Sequence, residues 1–138
     1  MTVFSWPIRV YFEDTDMAGV VYYANYLKFM ERARSEWLRD LGFEQDRLRA
    51  EENLLFAVRS AEVEYRSPAR FNDALVVESR VFRVGRASIE FAQEVLRQDN
   101  DKRVLLVQGR IKVACLDAQT FKPAVMPRLL LEAVNSVC

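Results

Sequence analysis

Residues 25–42 read NYLKFMERARSEWLRDLG, and this stretch decides the fold. Apolar residues recur in it at the three- and four-residue spacing of one helix face, namely Leu27, Met30, Ala33, Trp37, Leu38 and Leu41. Asn25 suits a helix N-cap, and Gly42 suits a helix stop. Tyr26 and Phe29 widen the apolar face. The pattern therefore predicts a long helix with much of its surface buried against a sheet.

The sequence on both sides of this helix alternates with a period of two, which is typical of β-strands. A first strand is expected over 8–12, with Pro7 marking its start. A short helix is expected over 44–52 and another over 129–134. Four long strands are expected between them, over about 54–66, 75–82, 89–95 and 104–115. The order predicts a single α+β domain over 1–138, in which one long helix packs on an antiparallel sheet.

The composition narrows the possible functions. The chain has 138 residues, with 20 basic and 20 acidic side chains, and this balance argues against a nucleic-acid partner. It has no histidine, which excludes imidazole bases and histidine-based metal sites. Cys115 and Cys138 do not form a C-x-x-C pair and suit a reducing cytosol. We expect a cytoplasmic protein without a signal peptide or a membrane span.

Three carboxylates precede the long helix, on Glu13, Asp14 and Asp16. A helix N-terminus presents unpaired N–H groups that can polarise a carbonyl oxygen as negative charge develops on it. A carboxylate nearby can attack the carbonyl carbon or deprotonate a water molecule that does so. These parts suit acyl transfer or hydrolysis. The alternative is that the acidic residues only cap the helix and balance its dipole.

The same region carries a family resemblance. Residues 14–26, DTDMAGVVYYANY, resemble the signature of the 4-hydroxybenzoyl-CoA thioesterase branch of the hotdog-fold superfamily. The continuation over 27–34, LKFMERAR, is similar to the Tol-Pal-associated acyl-CoA thioesterases of that branch. The resemblance extends to Trp6-Pro7, to the stretch 65–70 and to the Lys122-Pro123 and Pro127 region.

The resemblance implies a hotdog fold, in which an antiparallel sheet wraps a long central helix. It implies an acyl-CoA thioesterase that releases a carboxylic acid and free coenzyme A without a metal or another cofactor. It also implies homodimers with active sites at the subunit interface, and homotetramers in many members. A thioester on acyl carrier protein is the close alternative substrate.

The resemblance also implies roles for three residues. Asp16 falls at the catalytic carboxylate, and Gly19 at a position that leaves room for the substrate. Tyr23 falls where the family uses a backbone N–H to polarise the thioester carbonyl. Tol-Pal-associated relatives often carry histidine at Tyr23 and tyrosine at Phe12, so side-chain roles at these positions do not transfer. A main-chain role for Tyr23 does transfer, because every residue except proline has that donor.

Substrate-binding residues are expected around this centre. Tyr22 and Tyr26 are candidates for the wall of an acyl pocket, although such aromatic residues are more often plain core. Arg70, Arg83 and Arg86 lie near expected turns and are candidates for the coenzyme A phosphates. The solvated face of a strand is the alternative explanation for each arginine.

Two other functions stay open. One is a 4-hydroxybenzoyl-CoA thioesterase. The other is a hotdog scaffold that binds acyl carrier protein or an envelope-biogenesis partner with little turnover. A hotdog hydratase or dehydratase is disfavoured, because that chemistry usually uses a histidine.

Overall fold

The computed structural model describes residues 1–138. Its strands are β1 (Phe4–Arg9), β2 (Leu54–Tyr65), β3 (Ala74–Val84), β4 (Ser88–Asp99) and β5 (Lys102–Asp117), and its helices are α1 (Asn25–Asp40), α2 (Gln45–Glu52) and α3 (Arg128–Val137). The strands form one antiparallel sheet in the order β1-β3-β4-β5-β2. This α+β architecture, with one long helix against an antiparallel sheet, confirms the predicted fold class.

The first strand differs from the prediction. It runs from Phe4 to Arg9 and contains Pro7, opposite Val76, where we expected Pro7 to precede a strand over 8–12. β1 pairs with β3 alone and is an edge strand, so one of its sides tolerates the missing proline N–H. Phe12 lies instead in a short 3-10 helix and is exposed.

Helix α1 packs closely on the sheet. Phe29, Met30 and Trp37 are buried, as the helical spacing predicts. A Cβ added to Gly109 of β5 would lie 2.9 Å from the Met30 sulfur, so the absence of a side chain there leaves room for the Met30 thioether. Leu27 is exposed although it belongs to the predicted apolar stripe. Arg34, which does not belong to that stripe, is buried.

Helix α3 closes one end of the core. Leu130 and Val134 are buried in it, and the Thr2 N–H donates a 3.2 Å hydrogen bond to the Val137 carbonyl. The chain turns between α1 and α2 at Gly42. This residue has a φ of +99°, a backbone conformation that glycine adopts readily. None of the helices has the length and apolarity needed to span a bilayer.

Strand β2 forms the second edge of the sheet. It pairs with β5 alone, and its register shifts between Val58 and Ser60. Residues 58–62 are all exposed. One side of a twelve-residue strand is therefore without a backbone partner in this chain.

Candidate active site

The loop between β1 and α1 is a tight, hydrogen-bonded hairpin. Thr15 and Val21 form an isolated antiparallel bridge. Within it, the Asp16 N–H donates to the Val20 carbonyl at 2.9 Å, and the Gly19 N–H donates to the Asp16 carbonyl at 3.0 Å. Gly19 has a φ of +78°, and a Cβ there would meet no atom within 4 Å. The backbone conformation therefore favours glycine here, and the role of Gly19 in leaving room for the substrate stays a prediction.

Asp14 is the structural carboxylate of the loop. It is buried, and its Oδ2 accepts the Tyr11 N–H at 2.8 Å. Its carbonyl accepts the Tyr22 N–H and the Asn25 side-chain amide, both at 2.9 Å. Asn25 was expected to cap α1, but it is the first helical residue and ties the helix to Asp14 instead. These bonds fix the loop against the start of the helix.

Asp16 has a different environment. It is exposed, and its Oδ1 accepts the Ala18 N–H at 2.9 Å, while no group in the chain donates to Oδ2. The Tyr23 hydroxyl raises the pKa of the Tyr22 phenol, and the Asp16 charge raises it further. No group of three or more carboxylate or thiol side chains in the chain is placed to hold a metal ion. Asp16 is thus a free carboxylate beside the Tyr22 and Tyr23 side chains.

The start of α1 presents unpaired backbone donors. Ala24 is the N-cap of the helix, and the N–H groups of Tyr23 and Ala24 have no acceptor within the chain. The Tyr23 carbonyl accepts the Tyr65 hydroxyl at 3.1 Å, which holds this peptide against β2. Such donors, at the positive end of the helix dipole, favour an oxygen that carries negative charge.

The two tyrosines expected at an acyl pocket lie in different places. Tyr22 is exposed, with its ring centroid 4.9 Å from that of Tyr23. Tyr26 is in the core, where its hydroxyl accepts the Ala69 N–H at 2.9 Å and its ring packs edge-on against Phe29. Burial raises the pKa of Tyr26. Tyr26 therefore packs the fold and lines none of the principal cavities.

The structure does not bring the three predicted phosphate-binding arginines together. Arg70 lies beside the loop, where it forms an isolated bridge with Val20. Arg83 is at the far end of β3 in an ion pair with Glu90 at 3.3 Å, and Arg86 follows in the β3–β4 turn. The eleven residues of β3 separate the two locations by roughly 35 Å. The three arginines therefore form no single patch within one chain, and a role for any of them at the coenzyme A phosphates, at the surface of a subunit pair, stays a prediction.

One buried polar residue was missed from the sequence. Arg34 is 8% exposed and donates from NH1 to Gln93 Oε1 at 2.9 Å. The Gln93 amide in turn donates to the Met30 carbonyl at 3.0 Å and to Ser79 Oγ at 2.9 Å. Burial lowers the pKa of Arg34 to about 10. Its position four residues after Met30 and four before Leu38, inside the apolar stripe, was the available signal.

Comparison with known proteins identifies the family. The model of the thioesterase-like superfamily matches residues 10–134. The chain belongs to this superfamily. It is 44% identical to the acyl-CoA thioesterase YbgC of Haemophilus influenzae over 125 residues, which are 91% of this chain and 89% of that protein. The prediction of a thioester hydrolase is confirmed by this relationship.

Solved structures of the superfamily have the same fold. A probable thioesterase from Bartonella henselae is 35% identical, with a TM-score of 0.84 over 91% of this chain and 100% of that one. A mutant 4-hydroxybenzoyl CoA thioesterase, solved with 4-hydroxybenzoyl CoA, has a TM-score of 0.90 at 18% identity, over 97% of this chain and 99% of that one. The second likeness concerns the fold alone. Together they confirm the predicted hotdog architecture.

Proposed function

We propose that this thioesterase hydrolyses acyl-CoA to a carboxylic acid and free coenzyme A. The observation that carries the proposal is the pair of unpaired N–H groups on Tyr23 and Ala24, next to the loop that holds the free Asp16 carboxylate. The printed function of the Haemophilus influenzae relative supports the choice of acyl-CoA.

The helix terminus acts on the carbonyl. The Tyr23 and Ala24 N–H groups donate to the thioester oxygen, and they bind it more strongly as it gains negative charge in the tetrahedral intermediate. One such donor is typically worth roughly 10²–10³-fold in rate. The Tyr65 hydroxyl on the Tyr23 carbonyl orients the Tyr23–Ala24 peptide, which supplies the Ala24 N–H.

Asp16 acts on the carbonyl carbon. As a general base, its free Oδ2 takes a proton from water while the water oxygen bonds to the carbon; the C–S bond then breaks and the thiolate leaves with that proton. As a nucleophile, Oδ2 itself bonds to the carbon, the thiolate leaves, and water hydrolyses the resulting anhydride. Label in Asp16 after a single turnover in ¹⁸O-labelled water identifies the nucleophilic route with water attack at the Asp16 carboxyl carbon, because the general-base route puts the label into the product acid alone.

A second copy of the chain completes the site in this proposal. Asp16 is exposed, so one chain does not enclose a substrate at this carboxylate. The unpaired edge of β2 and the exposed rings of Phe12, Tyr23 and Phe71 support a subunit interface near the loop. The proposed assembly is a homodimer that pairs further to a homotetramer.

The remaining expectations form part of the same proposal. The protein is a cytoplasmic enzyme, works without a cofactor and consists of one domain over 1–138. It belongs to the Tol-Pal-associated subgroup of the 4-hydroxybenzoyl-CoA thioesterase branch. The motif over 14–26 supports the branch, and the continuation over 27–34 supports the subgroup.

A substrate panel tests the proposal. Thiol release is measured with acetyl-, hexanoyl-, palmitoyl- and 4-hydroxybenzoyl-CoA, and with the same acyl groups on acyl carrier protein. We expect turnover of at least one coenzyme A thioester. If no substrate in the panel releases thiol, the enzyme proposal fails, and a carrier-protein pull-down then tests the scaffold alternative.

A further inference from the structure

A cavity of about 540 Å³ opens between α1 and the edge strand β2. Its lining is half apolar and half charged, with Leu27, Val58, Ala61 and Ile111 in the first group and Lys28, Glu31, Arg32 and Arg34 in the second. Three cations thus face one carboxylate, on a chain whose net charge is zero. No carboxylate forms an ion pair with any of the three cations, and Glu31 instead accepts the Ser35 hydroxyl at 2.9 Å.

Arg34 is the buried member of this charged set. Its only hydrogen bond within the chain is the one to Gln93, so its other guanidinium N–H groups have no partner. No buried side-chain nitrogen in the chain lacks a partner, so the free donors of Arg34 keep some exposure, and Arg34 lines the cavity. The guanidinium also lies 6.0 Å from the Phe91 ring. With a pKa of about 10, Arg34 is charged at neutral pH.

The cavity runs away from the helix terminus. Leu27 and Lys28 line one end, one turn into α1 from Tyr23. Arg34 lies eleven positions beyond Tyr23, a rise of about 16 Å along the helix axis. A smaller cavity of about 90 Å³ shares Arg34 and continues towards Phe56. This distance along α1 is comparable with the length of an extended acyl chain.

We infer that the cavity between α1 and β2 binds the acyl group and that Arg34 selects acyl groups ending in a carboxylate, that is, monothioesters of dicarboxylic acids. This inference rests on the proposed function. The apolar side chains bury the methylene groups, and the free fork of Arg34 suits the two carboxylate oxygens. A coenzyme A phosphate fits less well, because its stronger hydration favours exposed cations over one behind apolar walls.

The test compares substrates that differ only at the far end. Adipyl-, suberyl- and sebacyl-CoA are paired with hexanoyl-, octanoyl- and decanoyl-CoA, and the ratio of kcat/KM within each pair is measured. We expect the wild type to prefer a dicarboxylyl substrate, and Arg34→Met to lower that ratio roughly 10- to 100-fold. Arg39→Met is the matched control, since Arg39 is an exposed arginine on the same helix that pairs with Glu36 and Glu44.

A purely structural role of Arg34 would lower both members of each pair equally and leave their ratio unchanged. That result, or a wild type without preference for the carboxylate, overturns the inference while acyl-CoA hydrolysis stands. The same pairs as N-acetylcysteamine thioesters, which lack the phosphates, must show the same preference. If the preference is absent for the N-acetylcysteamine thioesters, Arg34 binds the coenzyme A phosphates instead, and the inference is overturned.

A second pair of variants tests the inference if the Arg34→Met protein does not fold. Arg32→Glu adds a negative charge at an exposed residue of α1 that lines the cavity, whereas Arg49→Glu makes the same change at an exposed arginine of α2 that does not line it. The ratio is expected to fall in Arg32→Glu and to be retained in Arg49→Glu. If the protein hydrolyses no acyl-CoA, the binding of suberyl- and octanoyl-CoA to the Asp16→Asn variant is measured instead. Equal Kd values for the two thioesters would overturn the inference.

Discussion

The Arg34 guanidinium and the Gln93 side-chain amide meet inside the core, with 2.9 Å between NH1 and Oε1. The same amide also reaches the Met30 carbonyl and Ser79 Oγ, so one glutamine joins α1 to two strands. A charged group in the core is thereby held by neutral partners.

Replacing that glutamine should destabilise the fold strongly. Gln93→Leu removes the acceptor of Arg34 and the donor to Met30, leaving buried polar groups unpaired, and we expect a loss of about 2–4 kcal/mol in the free energy of unfolding. Urea denaturation measures it. Gln108→Leu is the control, because Gln108 bonds the exposed Arg66 and its loss should cost less than about 0.5 kcal/mol. Equal losses in the two variants would contradict the role of the buried network.

Asp16→Asn should leave the fold intact and lower the rate. The side chain is exposed, so melting temperature should hardly change. Loss of the base or nucleophile should lower kcat by roughly 10²–10⁴-fold. Glu13→Gln, at another exposed carboxylate of the same loop, should retain the rate. Near-normal turnover by Asp16→Asn removes Asp16 from the mechanism.

Gly19 and Gly42 form a matched pair of left-handed glycines. Each has a positive φ and open space around a Cβ, so alanine at either should cost about 1–2 kcal/mol of stability. Only Gly19→Ala should also lower kcat/KM, because Gly19 shapes the loop that holds Asp16. Thermal melts and thioester assays on both variants check this. A similar loss of activity in Gly42→Ala would refute the distinction.

Tyr26→Phe should destabilise the protein without affecting the chemistry directly. The variant leaves the Ala69 N–H without its acceptor in the core, at an expected cost of about 1–3 kcal/mol. Tyr22→Phe, at an exposed ring, should change stability by less than about 0.5 kcal/mol. Denaturant titration of both variants is the measurement, and a neutral Tyr26→Phe is the contradicting outcome.

Asp117 should contribute acid-sensitive stability. The N–H groups of Thr120 and Gln119 lower its pKa from the ordinary 3.8. Because the folded pKa lies below the unfolded one, this stabilisation is full above about pH 4 and is lost as the pH falls through the lowered value. Asp117→Asn should therefore show a shallower loss of stability below pH 4 in urea titrations. A pH dependence identical to that of the wild type would contradict the assignment.

The elements of the fold were predictable because their periodicity is strong. The apolar stripe of α1 and the alternation of the long strands follow from burial on one face. Local pattern did not locate β1, because an edge position lets a strand continue through Pro7. It also placed Leu27 inside, although Leu27 is exposed while its neighbour Tyr26 is buried.

The site was predictable only in part. A motif marks the loop, but Asp14 and Asp16 look alike in sequence, and only the fold buries one and exposes the other. Arg70 and Arg83 are close along the chain, yet a whole strand separates them. The partner of Arg34 is Gln93 on β4, which is itself bonded to β3 and α1, and no local pattern contains that information.

The Tyr65 phenol joins the last residue of β2 to the peptide at Tyr23. β2 is an edge strand of the sheet. A chain that docks along it would therefore also act on the peptide that would bind the reacting oxygen. In the proposed dimer, this hydrogen bond would transmit a displacement of the β2 edge to the peptide that binds the thioester oxygen.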